Sequence, residues 1–163
     1  MIERAIQCLH TWGGTTIIAD CGFGKTVTSI ELALLLKRRC LILCNRDVLM
    51  KQWIESIQKF TKSTNIGYIL GSDLSKGPDG TSRPNEKQMA SFLNAYFTVG
   101  SIETFSEGRI SKDILKSFGT VIVDEMHHIA AQSLVHVMPM FATQFIIGLT
   151  ATPNRSDGLE HVL

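Results

Sequence analysis

The stretch TTIIADCGFGKT, residues 15–26, joins a β-rich apolar run to a glycine-bearing loop that ends in a lysine and a threonine. From Lys25 onward, apolar residues recur at helical spacing, at Val27, Ile30 and Leu34. A loop between a strand and a helix N-terminus presents backbone N–H groups and the positive end of the helix dipole to an anion. The order strand, loop, helix therefore predicts an α/β fold with an anion site at its first turn.

The residues of the loop indicate which anion would bind at this site. Gly22 and Gly24, on either side of Phe23, let the backbone approach a phosphate closely, while Lys25 can reach the β- and γ-phosphates of a nucleotide. The Thr26 hydroxyl can ligate Mg²⁺. A plain turn between a strand and a helix is the alternative, but the strand before the loop and the helix after it favour ATP binding.

Strand-like and helical segments alternate along the rest of the chain. Asp47 precedes a second helical pattern that carries Leu49, Trp53, Ile57 and Phe60 on one face, so Trp53 is predicted to be a packed aromatic residue rather than a base-stacking platform. Repeated strand–helix units predict a parallel sheet with helices on both faces. The predicted strands are residues 15–19, 40–44, 66–70, 96–100, 120–124 and 144–149, with further helices at 112–118 and 132–138.

Composition limits the possible partners and the cellular setting. The formal net charge of +1 gives no basic field over the whole chain, so any polyanion must bind in a local groove. Four cysteines without paired zinc spacing favour buried free thiols in an intracellular, reducing compartment. No apolar run approaches the roughly 20 residues that span a bilayer, so no membrane partner is expected.

The chain is expected to form one domain over residues 1–163. Residues 72–87 are polar, rich in glycine and proline and without periodicity, which predicts a surface loop. The tripeptide Lys37-Arg38-Arg39 after the first long helix is interpreted as a solvated cationic helix end.

Two adjacent carboxylates follow the strand at residues 120–124. Asp124 lies where a Mg²⁺ ion on the phosphates needs an acidic partner, and Glu125 is then placed to polarise an attacking water. In isolation, the simpler interpretation of Asp124 and Glu125 is an ordinary pair of charges at the start of a helix. Together with the phosphate loop, the pair instead favours a role in ATP hydrolysis. A zinc site at His127 and His128 is not expected, because no further His or Cys pair lies at ligand spacing nearby.

Three motifs resemble motifs I, II and III of superfamily 2 helicases, in the same order: AxxGxGKT at 19–26, DExHH at 124–128 and TAT at 150–152. The segment around LILCNRDVLMKQW, residues 41–53, looks like motif Ia of the branch with the XPB helicase, type III restriction subunits and helicases of large cytoplasmic DNA viruses. The resemblance covers nearly the whole chain. It implies the first RecA-like domain of an ATP-dependent nucleic-acid helicase or translocase.

By this resemblance, Lys25 and Thr26 bind ATP and Mg²⁺, and Asp124 and Glu125 serve hydrolysis. His127, Thr150 and Thr152 would couple the γ-phosphate state to the grip on nucleic acid, DNA in preference to RNA. The residues that the resemblance places on the nucleic-acid track are Asn45, Arg46, Ser101 and Thr104.

A second RecA-like domain, expected beyond Leu163 in a longer protein, would be needed for full activity, so these residues alone should hydrolyse ATP poorly. The resemblance to helicases of large cytoplasmic DNA viruses favours a viral protein. The location is left open between the nucleus and the cytoplasm, with a viral replication site expected for a viral protein. The rival functions are a P-loop ATPase or kinase without a nucleic-acid role, and a non-catalytic interaction module.

Overall fold

The computed structural model describes residues 1–20, 22–69, 75–76, 82–83, 90–91, 93–106, 110, 112–126 and 138–151. Six strands form one sheet, in which every neighbouring pair is parallel and the spatial order is β1-β8-β7-β2-β6-β3. These strands are β1 Gly14–Ile18, β2 Cys40–Cys44, β3 Ile66–Ile69, β6 Phe97–Ser101, β7 Thr120–Val123 and β8 Phe145–Thr150. The predicted α/β class is confirmed, and each predicted strand is found within one residue at either end.

Helices cover both faces of this sheet, as predicted. One face packs against α1 Ile2–Trp12, α2 Lys25–Leu36 and α3 Asp47–Thr61, and the other against α4 Ile102–Ser106 and α5 Lys112–Leu115. Strand β2 shows why both faces are needed, because Cys40, Ile42 and Cys44 point into the first core while Leu41 and Leu43 point into the second. A central strand buried on both sides reads as a continuous apolar run.

Helix α1 was absent from the sequence-based prediction. Its Ala5 and Leu9 are buried on the first face of the sheet, and it ends at Gly13, whose φ of 73° lets its N–H donate to the Leu9 carbonyl oxygen at 2.8 Å. A Cβ atom on Gly13 would lie 3.2 Å from the Gln144 carbonyl oxygen, so this residue closes α1 against the start of β8.

The predicted face of α3 is partly wrong, and the apolar spacing noted in α2 does not mark its buried face. In α2, Ile30 is buried but Leu34 is 44% exposed, and the buried set includes Leu32 and Ala33 instead. In α3, Trp53 is buried as predicted, at 2% exposure, whereas Phe60 is 48% exposed. Because α2 is apolar around most of its circumference, spacing alone does not choose its inner face.

The interpretation of Lys37-Arg38-Arg39 as a solvated end fails at Arg39. Its guanidinium donates to the Ala95 carbonyl oxygen at 3.2 Å and to the Ser117 hydroxyl at 3.0 Å, and it lies 5.1 Å from the centre of the Phe118 ring. Arg39 therefore ties the start of β2 to the segments that precede β6 and β7.

The predicted surface loop 72–87 is described only at β4 Ser75–Lys76 and β5 Ser82–Arg83, which pair antiparallel. The helix predicted at 132–138 lies outside the described residues except at Met138, which opens a short 3₁₀ turn, Met138–Met140. Among the described helices, none has the length and apolar character needed to cross a bilayer.

Candidate active site

The parallel sheet brings the ends of three neighbouring strands to one edge. Strand β8 lies between β1 and β7, with Ile18 opposite Thr150 and Val123 opposite Gly148. Neighbouring strands are about 4.8 Å apart, so the exits of β1 and β7 are about 10 Å apart. The loop after β1, the last residue of β8 and the carboxylates after β7 therefore meet in one place.

The loop between β1 and α2 has the backbone geometry of an anion cradle. Gly22 and Gly24 have φ values of 86° and 80°, which side-chain-bearing residues rarely adopt, and a Cβ atom on either would meet nothing within 4 Å. Gly24 caps α2 without a side-chain hydrogen bond, and the first backbone bond of the helix runs from the Thr28 N–H to the Gly24 carbonyl oxygen at 2.9 Å. The first N–H groups of a helix have no partner within the helix, so beside open space they are suited to bind a phosphate.

Lys25 and Thr26 stand at the mouth of this loop. The Lys25 ammonium donates to the Ala19 carbonyl oxygen at 2.5 Å, which holds the charge across the loop. Thr26 lines a cleft of about 320 Å³ together with Asp124, and the Thr26 carbonyl oxygen accepts a bond from the buried Ser29 hydroxyl at 2.9 Å. A hydroxyl and a carboxylate on one cleft are oxygen ligands that suit Mg²⁺.

Asp124 is held by hydrogen bonds to both of its carboxylate oxygens. The Trp53 indole N–H donates to Oδ2 at 2.7 Å, and the Glu125 backbone N–H donates to Oδ1 at 3.0 Å. Burial raises the pKa of Asp124 above its usual range and the Glu125 charge adds to this, while both hydrogen bonds and the Lys25 charge lower it. The carboxylate is thus partly desolvated and oriented, as a metal ligand must be.

Glu125 turns the chain sharply out of β7. Its φ of 47° lies in the left-handed region, which costs a residue other than glycine about 1–3 kcal/mol. Such strain persists where the surrounding structure enforces it and clusters at functional sites. The turn is secured at its start by the Asp124 N–H, which donates to the Leu43 carbonyl oxygen at 2.9 Å.

The predicted nucleic-acid residues lie at the same edge of the sheet, further along it. Ser101 at the end of β6 lies opposite Cys44 at the end of β2, and Asn45 and the exposed Arg46 follow β2 directly. The Asn45 Oδ1 atom is buried and has no hydrogen-bond partner in the described part of the chain. Thr104, by contrast, is only 2% exposed on α4, which favours a packing role over a direct contact.

Two predicted site residues, His127 and Thr152, lie outside the described residues. Thr150 is described and is 6% exposed at the end of β8, next to the phosphate loop. Sequence reasoning missed Trp53 as part of the site, because its helical spacing predicted only packing and its partner lies 71 residues away.

Comparison with known proteins places this arrangement among helicase domains. Residues 1–155 match the model of the family described as "Type III restriction enzyme, res subunit". "Putative helicase 161L" of Invertebrate iridescent virus 6 is 35% identical over 158 residues, which are 97% of this chain and 33% of that protein. The "General transcription and DNA repair factor IIH helicase/translocase subunit XPB" of Enterocytozoon bieneusi is 30% identical over 149 residues, 86% of this chain and 24% of that protein.

The fold is also shared with solved structures. The chain superposes on "Sulfolobus solfataricus SWI2/SNF2 ATPase core in complex with dsDNA" with a TM-score of 0.71 and 18% identity, over 97% of this chain and 32% of that one. It superposes on the UvsW helicase from bacteriophage T4 with a TM-score of 0.70 and 17% identity, over 93% of this chain and 51% of that one. The chain spans 33% and 24% of the length of these two curated relatives.

Proposed function

Because this chain belongs to the type III restriction enzyme res-subunit family, within superfamily 2, we propose that it is the ATP-binding motor domain of a nucleic-acid helicase or translocase. It is a first RecA-like domain in the branch that includes XPB. In this function, the domain couples ATP hydrolysis to movement along, or opening of, a nucleic acid.

One observation carries the proposal. The uncapped N-terminus of α2, with two left-handed glycines before it, opens beside a cleft that Thr26 and Asp124 share. The backbone N–H groups of the loop would hold the phosphates, and Lys25 would exchange its bond with the Ala19 carbonyl oxygen for one with a phosphate oxygen. Thr26 and Asp124 would hold Mg²⁺, which supplies charge neutralisation on the β- and γ-phosphates when bound.

Glu125 is the residue proposed to orient and deprotonate the attacking water. Its position directly after Asp124, in a turn that leaves the sheet, supports this role, as does its half-buried side chain. We expect Glu125→Gln in the longer protein to keep ATP affinity and to lose turnover. Retained kcat in that variant would remove Glu125 from the catalytic role.

Coupling between nucleotide and nucleic acid is proposed to pass through His127, Thr150 and Thr152. Thr150 lies next to the end of β1, where the phosphate loop begins. A shift of the phosphate loop would therefore move Thr150, which supports a link between the nucleotide site and the nucleic-acid site. Asn45, Arg46 and Ser101 are the proposed contacts to the nucleic-acid backbone, at the far side of the same edge.

We propose DNA in preference to RNA as the track, because the relative named as a subunit of a DNA repair factor is 30% identical to this chain, whereas the relative named as an RNA helicase is 24% identical. A second RecA-like domain would supply the arginine finger that such ATPases use, often worth about 10³–10⁵ in rate. The free, buried thiols of Cys40 and Cys44 support an intracellular, reducing setting, and the viral relatives support a viral source.

The test compares ATP hydrolysis by the 163-residue chain with that of a version extended at its C-terminus to include the next domain. Each is measured alone and with single-stranded or double-stranded DNA or RNA. ATP turnover that requires the extension and rises with DNA supports a DNA motor. Stimulation by RNA alone would mean that the motor moves on RNA instead of DNA.

Full turnover by the 163 residues, independent of nucleic acid, would instead support a self-sufficient P-loop ATPase. Glu125→Gln in the extended protein controls for contaminating ATPases, since it should bind ATP without hydrolysing it.

A further inference from the structure

Trp53 on α3 and Asp124 after β7 join segments that are distant in sequence. The Trp53 Nε1–H donates to Asp124 Oδ2 at 2.7 Å. The indole is only 2% exposed and belongs to the core cluster that includes Met50 and Ile57 from the same helix. The donor is therefore fixed by packing, and it cannot follow the carboxylate if the carboxylate moves.

The rest of the Asp124 environment leaves room for a cation. The Glu125 N–H donates to Oδ1 at 3.0 Å, so each carboxylate oxygen accepts one hydrogen bond. An ionised carboxylate has about four lone-pair sites, which leaves about two for other partners. The cleft that these sites share with Thr26 is walled on one side by α3, through Gln52 and Trp53.

We propose that Trp53 is a positioning residue for the divalent cation: its indole N–H fixes the plane of the Asp124 carboxylate so that the free lone pairs face Thr26. This proposal rests on the proposed function, which makes Asp124 a Mg²⁺ ligand. Indole is suited to the task because it is a donor only and does not compete as a ligand. Without the donor, Oδ2 of this half-buried carboxylate loses its bond, and the ionised ligand becomes harder to hold in place.

A purely structural role for Trp53 predicts a different result. If the indole served packing alone, its truncation would lower stability and all nucleotide binding together. A positioning role acts on the cation and leaves Mg²⁺-free nucleotide binding intact, because the Trp53 N–H bonds to Asp124 whereas Lys25 of the phosphate loop bonds to the Ala19 carbonyl oxygen. The dependence of binding on Mg²⁺ therefore separates the two roles.

The experiment measures binding of a fluorescent ADP to the 163-residue chain in EDTA and over a Mg²⁺ series. Trp53→Phe removes the N–H and keeps an aromatic ring in the core. We expect its affinity in EDTA to match that of the wild type, and the Mg²⁺ concentration for half-maximal enhancement to rise about tenfold. Ile57→Val, which trims the same buried face of α3 away from Asp124, is the matched control and should keep the wild-type Mg²⁺ dependence.

The two proposals fail in different ways in this experiment. A wild-type chain whose ADP affinity does not respond to Mg²⁺ would overturn the Mg²⁺-site assignment and the role of Trp53 with it. A responsive wild type together with an unchanged Trp53→Phe curve would overturn the role of Trp53 alone. A Trp53→Phe curve shifted no more than that of Ile57→Val would also overturn it.

A second measurement does not depend on the folding of Trp53→Phe. The chain has two tryptophans, and Trp12 is 81% exposed, so Trp12→Phe leaves Trp53 as the sole emitter. We expect its emission to change on addition of Mg²⁺ with ADP and not with ADP in EDTA. Adding Asp124→Asn should abolish this change in emission. Tryptophan emission of the Trp12→Phe chain that does not respond to Mg²⁺ would contradict the proposal.

Discussion

At the residue scale, Lys25 supplies the positive side chain of the phosphate loop. Its present partner is the neutral carbonyl oxygen of Ala19, so a phosphate offers it a charged acceptor instead. We expect Lys25→Ala to weaken ATP binding by about 10- to 100-fold, because a hydrogen bond to a charged group contributes about 1.5–3 kcal/mol. Titration of a fluorescent ATP analogue measures this.

The matched control for Lys25 is Lys116, an exposed lysine just after α5, close to the opposite edge of the sheet where β7 begins. Lys116→Ala should leave ATP affinity at the wild-type value. If both variants bind ATP with the affinity of the wild type, the phosphate loop has no role in nucleotide binding.

Asp124 should carry a stability cost that depends on pH. Burial raises its pKa, so the folded chain holds this proton more tightly than the unfolded chain does. Stability contributed by Asp124 therefore falls as the pH rises from the usual carboxyl range through the raised folded pKa. Asp124→Asn removes that ionisation, and we expect the difference in Tm between the variant and the wild type to become more positive with rising pH.

Thermal unfolding of Asp124→Asn and wild type at about pH 4 and about pH 8 tests this sign. Asp113→Asn, an exposed carboxylate on α5, is the control and should show the smaller change between the two pH values. A Tm difference for Asp124→Asn that stays constant or falls with pH would contradict a raised pKa.

At the scale of elements, β6 depends on a glycine that the sequence analysis did not single out. A Cβ atom on Gly100 would overlap the Phe105 ring of α4, which is fully buried. A buried aromatic ring has little freedom to withdraw, so we expect Gly100→Ala to lower the free energy of unfolding by about 1–3 kcal/mol. Urea denaturation measures the loss.

Gly14→Ala in β1 is the control for this prediction, because its Cβ would lie 3.8 Å from the Ile146 carbonyl oxygen, an ordinary contact. Its effect should stay within about 0.5 kcal/mol of the wild type. A Gly100→Ala chain as stable as Gly14→Ala would show that α4 can move away from the sheet.

The strands could be predicted from the sequence and the inner faces of helices only in part. Apolar runs such as Cys40–Cys44 are bounded by charged and polar residues, so their ends are marked locally. Leu34 is exposed although it follows Ile30 at helical spacing, because α2 has apolar residues on several sides and the sheet determines which of them are buried. The bond from Trp53 to Asp124 has no local signature, since it exists only once α3 lies on the sheet beside β7.

At the scale of the whole molecule, strand order is what creates the site. Chain order does not reveal that β8, the last strand of the described residues, inserts between β1 and β7, yet this insertion sets the spacing between the phosphate loop and Asp124. The motifs predicted which residues belong together because their chemistry is complementary. The crossovers that bring them together are long-range, and a periodic pattern carries no information about them.

The same topology makes the thiols of β2 probes of global unfolding. Cys40 and Cys44 are fully buried in the strand between β7 and β6, and burial raises the pKa of both thiols, whereas Cys8 on α1 is half-buried.

In a Cys21→Ser chain we expect a thiol reagent to label Cys8 readily, and Cys40 and Cys44 only at the rate of global unfolding. Mass spectrometry of the labelled chain over time, in native buffer and in urea, assigns each site. Fast native labelling of Cys40 or Cys44 would mean that β2 opens without the rest of the sheet, which its two paired neighbours and two packed faces argue against.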